Sequence, residues 1–161
     1  MAATDQSINC MILTLRSENV IVPNAAIAEI LSAKDTMDIA NMPDWYMGKM
    51  PWRGVNVRLV SFEAASGEEV KGLNLNTQVA MLYSISNETD YPYLGVIISG
   101  VPHETLFSED QIKVDEQAME SDMNPMIAMK TRINGAAVSV LDIEAIESMV
   151  AQAEGGHSLR P

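Results

Sequence analysis

The chain has 161 residues, 47% of them apolar, enough for one domain to bury a core. Its formal charge of −12, from 10 bases against 22 acids, argues against nucleic acid and anionic membrane surfaces as partners. A single cysteine, Cys10, rules out an intramolecular disulfide and fits a reducing compartment. The N-terminus has neither a basic start nor a long apolar stretch, so no secretory signal is expected. The apolar runs are far shorter than a membrane span, so no direct membrane insertion is expected and the cytoplasm is the default location.

Residues 8–15 are apolar with polar interruptions and predict a strand. Ser17, Glu18 and Asn19 predict a turn, and β-branched Val20, Ile21 and Val22 a second strand stopped by Pro23. Asn24 could cap a short helix over 25–31, or 28–31 could run as a strand, and periodicity leaves both open. Residues 42–54 hold two prolines and two glycines, which predicts an ordered loop with Trp45 and Trp52 as packing anchors. Alternation over 55–62 predicts a strand, and polar 63–76 a loop. Residues 78–85 and 91–98 predict a hairpin around the turn 86–90, with Gly95 marking a bulge or close packing. Residues 101–113 read as a connection with a possible helical turn. The clearest hairpin is 126–133 with 136–141, because Asn134-Gly135 supplies the two positive φ angles of a type I′ turn. Asp142 then caps a helix whose apolar residues Ile143, Ile146, Met149, Val150 and Ala153 keep helical spacing, and 151–161 is expected to be a flexible tail. Strands mostly in hairpins with one terminal helix predict a mainly β fold of small barrels rather than an α/β sheet.

The charge is uneven. Residues 1–60 carry 6 acids and 5 bases, whereas 61–161 carry 16 acids and 5 bases. Between Trp45 and Phe62 stand Lys49, Arg53 and Arg58 with no acid, a stretch whose sign would steer a charged partner. Chemistry is harder to find. His103 and His157 lack metal-ligand spacing, Gly67 is followed by acids rather than phosphate-holding residues, and Cys10 sits in an apolar strand. The acids Glu104, Glu109, Asp110, Asp115, Glu116, Glu120 and Asp122 match no calcium-loop spacing. No catalytic, cofactor or metal site is expected.

The order of several segments resembles the CheW-like chemotaxis adaptor family. Residues 20–30, ending Ala28-Glu29-Ile30, resemble the family segment that carries an apolar residue, any residue, then Glu. Residues 42–48 resemble a shortened form of its Pro-containing loop, and Trp52-Arg53-Gly54-Val55-Asn56-Val57 its Arg-Gly signature. Residues 93–101 are similar to a family strand, and 133–142 to its closing hairpin. The Trp-Arg-Gly form resembles the divergent (Pil-Chp, ChpC-like) adaptors of type IV pilus, or twitching, chemosensory systems. Family members commonly carry Pro where this chain has Arg58, and Asp where it has Ser61 and Ser99.

The resemblance implies a single CheW-like domain over 8–150, built as two small five-stranded SH3-like β-barrels packed side by side with short helices and a C-terminal helix. One barrel would span roughly 32–98, the other 8–31 plus 99–150. It implies a non-enzymatic adaptor that couples a methyl-accepting chemoreceptor to a CheA-type histidine kinase. The receptor's cytoplasmic tip would bind in the groove between barrels, and the kinase regulatory domain at barrel ends. By position, Ile27, Glu29, Arg53, Gly54, Val101 and Glu104 fall on or beside that groove. Arg53 would either bond loop carbonyls, form a buried bridge to Glu29, or touch the receptor. Gly54 would permit a backbone angle closed to larger residues. Ile27 and Val101 would be core, or apolar surface for a helical tip. A scaffold for another motility or polar protein, or an enzyme with a site assembled only in space, remain as rival readings.

Overall fold

The computed structural model describes residues 7–16, 18–69, 72–74, 76–85, 91–119 and 124–158. Among these, eleven strands form two sheets. The first contains β1 (Ser7–Thr14), β2 (Asn19–Pro23), β8 (His103–Ser108), β9 (Ile112–Val114), β10 (Ile127–Ile133) and β11 (Ala136–Leu141), in the spatial order β8-β1-β2-β11-β10-β9. The second contains β3 (Ile27–Ser32), β4 (Tyr46–Trp52), β5 (Val55–Ser61), β6 (Gln78–Tyr83) and β7 (Tyr93–Ile98), in the order β3-β6-β7-β5-β4. All neighbours are antiparallel except β11 with β2 and β5 with β7.

Both sheets curl toward closure. The edge strands β8 and β9 are consecutive in the chain, joined by a 3-10 turn over Glu109–Gln111. Ser108 and Gln111 close that turn as a capping box, so one chain segment rounds the corner and supplies both edges. Counted as one bent strand, it makes the six-stranded sheet five-stranded. In the other sheet, Met37 pairs with Lys49, which lays the chain after β3 against the edge of β4.

Three apolar clusters explain why the strands read as nearly unbroken apolar runs. Val57, Leu59, Val79 and Met81 fill the inside of the five-stranded sheet. Cys10, Ile21, Phe107, Ile133 and Val138 fill the inside of the six-stranded one. The alternate residues, Val20 and Val22 from one sheet and Val60, Ala80 and Leu82 from the other, meet in a shared core. Each sheet thus buries both faces at its centre, and a strand buried on both faces loses the simple polar alternation. Helix α3 (Ile143–Ser158), the long helix after the single turns α1 (Phe62–Ala65) and α2 (Glu116–Met119), enters the shared core with Ile146 and Val150. Asp142 caps it, its Oδ1 accepting from Ala145 N at 2.9 Å.

Several expectations are corrected. Of the two readings of 25–31, the helix shrinks to a 3-10 turn over Asn24–Ala26, and the strand over 28–31 is the one found, as β3. Because β3 pairs with β6, residues 27–31 join the five-stranded sheet rather than the N-terminal strands. Residues 46–52, expected as loop, form β4. Its Pro51 is tolerated because β4 is an edge, where a missing N–H leaves no ladder bond unmade. Gly48, at φ +110°, lies at a bulge where a Cβ would strike the Met37 carbonyl oxygen. The connection 101–113 is mostly strand, with the expected turn reduced to 109–111. The loop 63–76 opens as helix α1 (Phe62–Ala65), capped by Ser61 Oγ accepting from Ala64 N at 3.1 Å. The tail expected from residue 151 is helical through Ser158, because Glu154 is tied to the five-stranded sheet. The turns at Ser17 and 86–90, and the acids Glu120 and Asp122, lie outside the described residues.

Candidate protein-docking site

The β4–β5 hairpin closes through Arg53 at φ 51° and Gly54 at φ 81°, with Trp52 opposite Val55. Two positive φ angles in a two-residue loop define a type I′ turn. The second position is glycine and free of strain, and a Cβ there would meet nothing within 4 Å, so only backbone conformation demands it. The first position holds an arginine, where a side chain normally costs about 1 kcal/mol.

That arginine lies on an aromatic bed. Its guanidinium carbon is 4.2 Å from the Trp52 ring centroid and 5.8 Å from that of Tyr93. Trp52 meets Tyr93 edge-on at 4.8 Å, and Tyr93 is cross-strand partner to Tyr83, their rings 5.9 Å apart. Arg53 Nη1 reaches the Tyr93 hydroxyl at 3.5 Å, and Nη2 reaches Glu29 Oε1 at 3.4 Å. The hydrogen bond to the Tyr93 hydroxyl, and then the nearby Glu29, push the Arg53 pKa further above its ordinary value.

Glu29 and Arg53 meet, one of the three readings of Arg53 above, but on the surface: their side chains are 49% and 46% exposed. The buried version of the bridge is ruled out by that exposure, and the guanidinium contacts described are to side chains rather than loop carbonyls. Ile27, half-buried opposite Leu82, packs on the shared core. Val101 is 73% exposed, which rules out its reading as core. Glu104 is exposed on edge strand β8 and accepts from Asn9 Nδ2 at 3.1 Å. Glu29, Arg53 and Gly54 thus gather on the five-stranded sheet, while Val101 and Glu104 stand on the β8 side of the other.

Two further clusters escaped the sequence. Glu63, buried in the first turn of α1, accepts from the Arg16 backbone N–H, from Arg16 Nε at 3.0 Å and from Ser99 Oγ at 3.1 Å. Thr14 O takes the N–H of Ser99 at 3.0 Å and of Gly100 at 3.1 Å, so the crossing between sheets is fixed at both its chain and its side chains. Arg58, also buried, donates from Nη1 to Glu154 Oε1 at 2.9 Å, while Tyr46 donates its hydroxyl to Glu154 Oε2. The Tyr91 ring centroid lies 3.8 Å from the Arg58 guanidinium carbon. Of the three departures from the family pattern, Arg58 and Ser99 sit in these networks, and Ser61 caps α1, the helix that carries Glu63. Tyr83 and Tyr93 could have been found by pairing the predicted hairpin in register. Glu154 lies on an apparently polar helix end, and nothing in the sequence links it to Arg58.

Comparison with known families matches the CheW-like domain over residues 9–150. The chain belongs to the CheW-like family. The crystal structure of the scaffolding protein TtCheW from Thermoanaerobacter tengcongensis superposes with a TM-score of 0.66 at 12% identity, covering 83% of each chain. At that identity the likeness is one of fold: two sheets of small-barrel type with a C-terminal helix. No curated protein gives a significant match. CheW-like proteins are chemotaxis scaffolds rather than enzymes. Among the described residues no group of three or more His, Cys, Asp or Glu gathers as a cation-holding set, and no helix is long and apolar enough to cross a membrane.

Proposed function

We propose that the chain is a non-enzymatic adaptor that couples the cytoplasmic tip of a chemoreceptor to the regulatory domain of a CheA-type histidine kinase. The observation that carries this reading is Arg53: an exposed cation on an aromatic bed, occupying a turn position where its own backbone is strained. Trp, Tyr and Arg are the residues most enriched in binding hot spots, and here they stand together on the surface. Glu29 and Gly54 shape the same surface and Ile27 supports it from the core, while Val101 and Glu104 stand apart from it, on the β8 side of the other sheet. The pilus setting rests on the Trp-Arg-Gly form of the signature and on Arg58, Ser61 and Ser99, which part from the commoner pattern.

Co-purification of the tagged chain with the receptor tip and with the kinase regulatory domain, each tested alone, decides the matter. Capture of both is the expected result. Capture of the receptor alone would make the chain an accessory adaptor, and capture of neither would mean the scaffold serves another motility or polar protein.

A further inference from the structure

The Arg53–Glu29 pair makes a poor permanent bond. It is a single contact at 3.4 Å, with both side chains about half exposed, a class of ion pair that contributes little to stability. The guanidinium does not need Glu29 to hold its place, since Trp52 and Tyr93 already fix its plane. One edge of the Arg fork is therefore occupied by an anion that water already reaches. Beside it Tyr83 is 45% exposed; Ile85, two residues farther along the chain, is 58% exposed, its N–H held by Glu147 of α3. The electrostatic setting is unusual for this chain. Of the three cations in residues 46–61, Arg58 is buried against Glu154, so Lys49 and Arg53 are the two a partner meets, while 61–161 hold an excess of eleven negative charges. An acidic partner is repelled by most of the molecule and admitted here.

We infer that this surface is a carboxylate receptor held shut by an internal carboxylate, and that an Asp or Glu side chain of a partner helix displaces Glu29 from Arg53 on docking. The inference rests on the coupling reading and adds to it the group that is recognised and the group that is displaced. The partner's carboxylate takes the Arg53 fork while the apolar residues flanking it cover Tyr83 and Ile85. Glu29 turns to water at little cost because it is exposed already. Specificity follows from the competition: only a carboxylate brought with enough apolar surface outbids the tethered one.

Two probes test this by calorimetry and by Trp fluorescence. One is the recombinant receptor signalling tip. The other is a synthetic helical peptide with glutamates bordering a leucine face, beside its all-glutamine counterpart. The expected results are binding of the tip and of the glutamate peptide, and none of the glutamine peptide. Glu29→Gln removes the competitor and should tighten both by about threefold to tenfold, whereas Arg53→Gln should weaken both more than about tenfold. Equal weakening by Glu29→Gln and Arg53→Gln would overturn the inference, since the pair would then act as a single structural unit. Equal binding of the glutamine peptide, or self-association of the chain upon Glu29→Gln, would overturn it as well. If the peptides behave as expected and the tip does not bind, the carboxylate site stands and the receptor reading falls. If the tip binds wild type and Arg53→Gln alike while neither peptide binds, the receptor reading stands and the inference falls. Failure of both probes on the wild-type chain refutes both.

Discussion

One hairpin, β4–β5, carries two arginines, each facing one glutamate, and the two pairs do opposite work. At the turn, Arg53 and Glu29 are 46% and 49% exposed and touch at 3.4 Å. Farther along β5, Arg58 and Glu154 are 6% and 22% exposed and bond at 2.9 Å, with the Tyr46 hydroxyl on the second carboxylate oxygen. The inner pair pins α3 across the five-stranded sheet. It also leaves Arg58 Nε buried with no hydrogen-bond partner among the described residues, so its guanidinium depends on Glu154 all the more. Loss of one member strands a buried charge, whereas loss of an outer member strands nothing that water does not already solvate.

The two type I′ turns sharpen the contrast. Asn134-Gly135 closes β10–β11 at φ 52° and 86°, and Arg53-Gly54 closes β4–β5 at φ 51° and 81°. The backbone geometry is the same, yet only the first turn uses the residue that tolerates it best. Asn134 is there for its backbone, and Arg53 for its side chain.

The largest effect should come from the inner pair. Glu154→Ala is expected to destabilise by about 2–4 kcal/mol in urea unfolding, since it leaves both Arg58 and Tyr46 without their acceptor. Glu29→Ala should cost less than about 0.5 kcal/mol in the same assay. Similar costs for the two would break the comparison. Next come the glycines: Gly54→Ala and Gly135→Ala should each cost about 1–2 kcal/mol, and by nearly equal amounts, because at both sites a Cβ meets open space and only the positive φ resists it. Smaller still, Arg53→Asn should stabilise by about 0.5–1 kcal/mol and Asn134→Arg destabilise by about as much. An Arg53→Asn variant less stable than wild type would show that the outer arginine also serves the fold.

The last effect is confined to alkaline pH. Burial, then the hydrogen bond to Glu154, pushes the Tyr46 phenol well above the ordinary tyrosine range. The folded state therefore holds that proton more tightly than the unfolded chain. Its contribution is complete below about pH 10 and declines as pH rises beyond it. Tyr46→Phe should flatten the fall in stability measured between about pH 10 and pH 12. An unchanged slope would mean that the inner network does not include the phenol. Burial likewise raises the Cys10 thiol above its ordinary value, consistent with its place inside the six-stranded sheet.

How much of this was legible from residues alone depended on the range of the signal. Asn134-Gly135 announced its hairpin because the turn chemistry is local, and Asp142 announced α3 for the same reason. The strand β4 was hidden because Gly48 and Pro51 act as breakers in most settings. At a sheet edge, with Met37 crowding the glycine, they are compatible with a strand. Strands β8 and β9 were hidden by the acids in and beside them, Glu104, Glu109, Asp110 and Asp115, which suit an exposed edge as well as a loop. At the site, the Glu29–Arg53 partnership followed from the family pattern, but its exposure did not, because exposure depends on which sheet β3 joins. The aromatic bed needed the β6–β7 register, and the Arg58–Glu154 bond spans 96 residues of chain, beyond any periodicity.

The central claim is that Arg53 is placed for recognition and not for the fold. The direct test is the Arg53→Asn variant, measured side by side for unfolding and for affinity toward the receptor tip. The expected result is a protein at least as stable as wild type that binds the tip more than about tenfold more weakly. Wild-type affinity in a folded Arg53→Asn protein would contradict it.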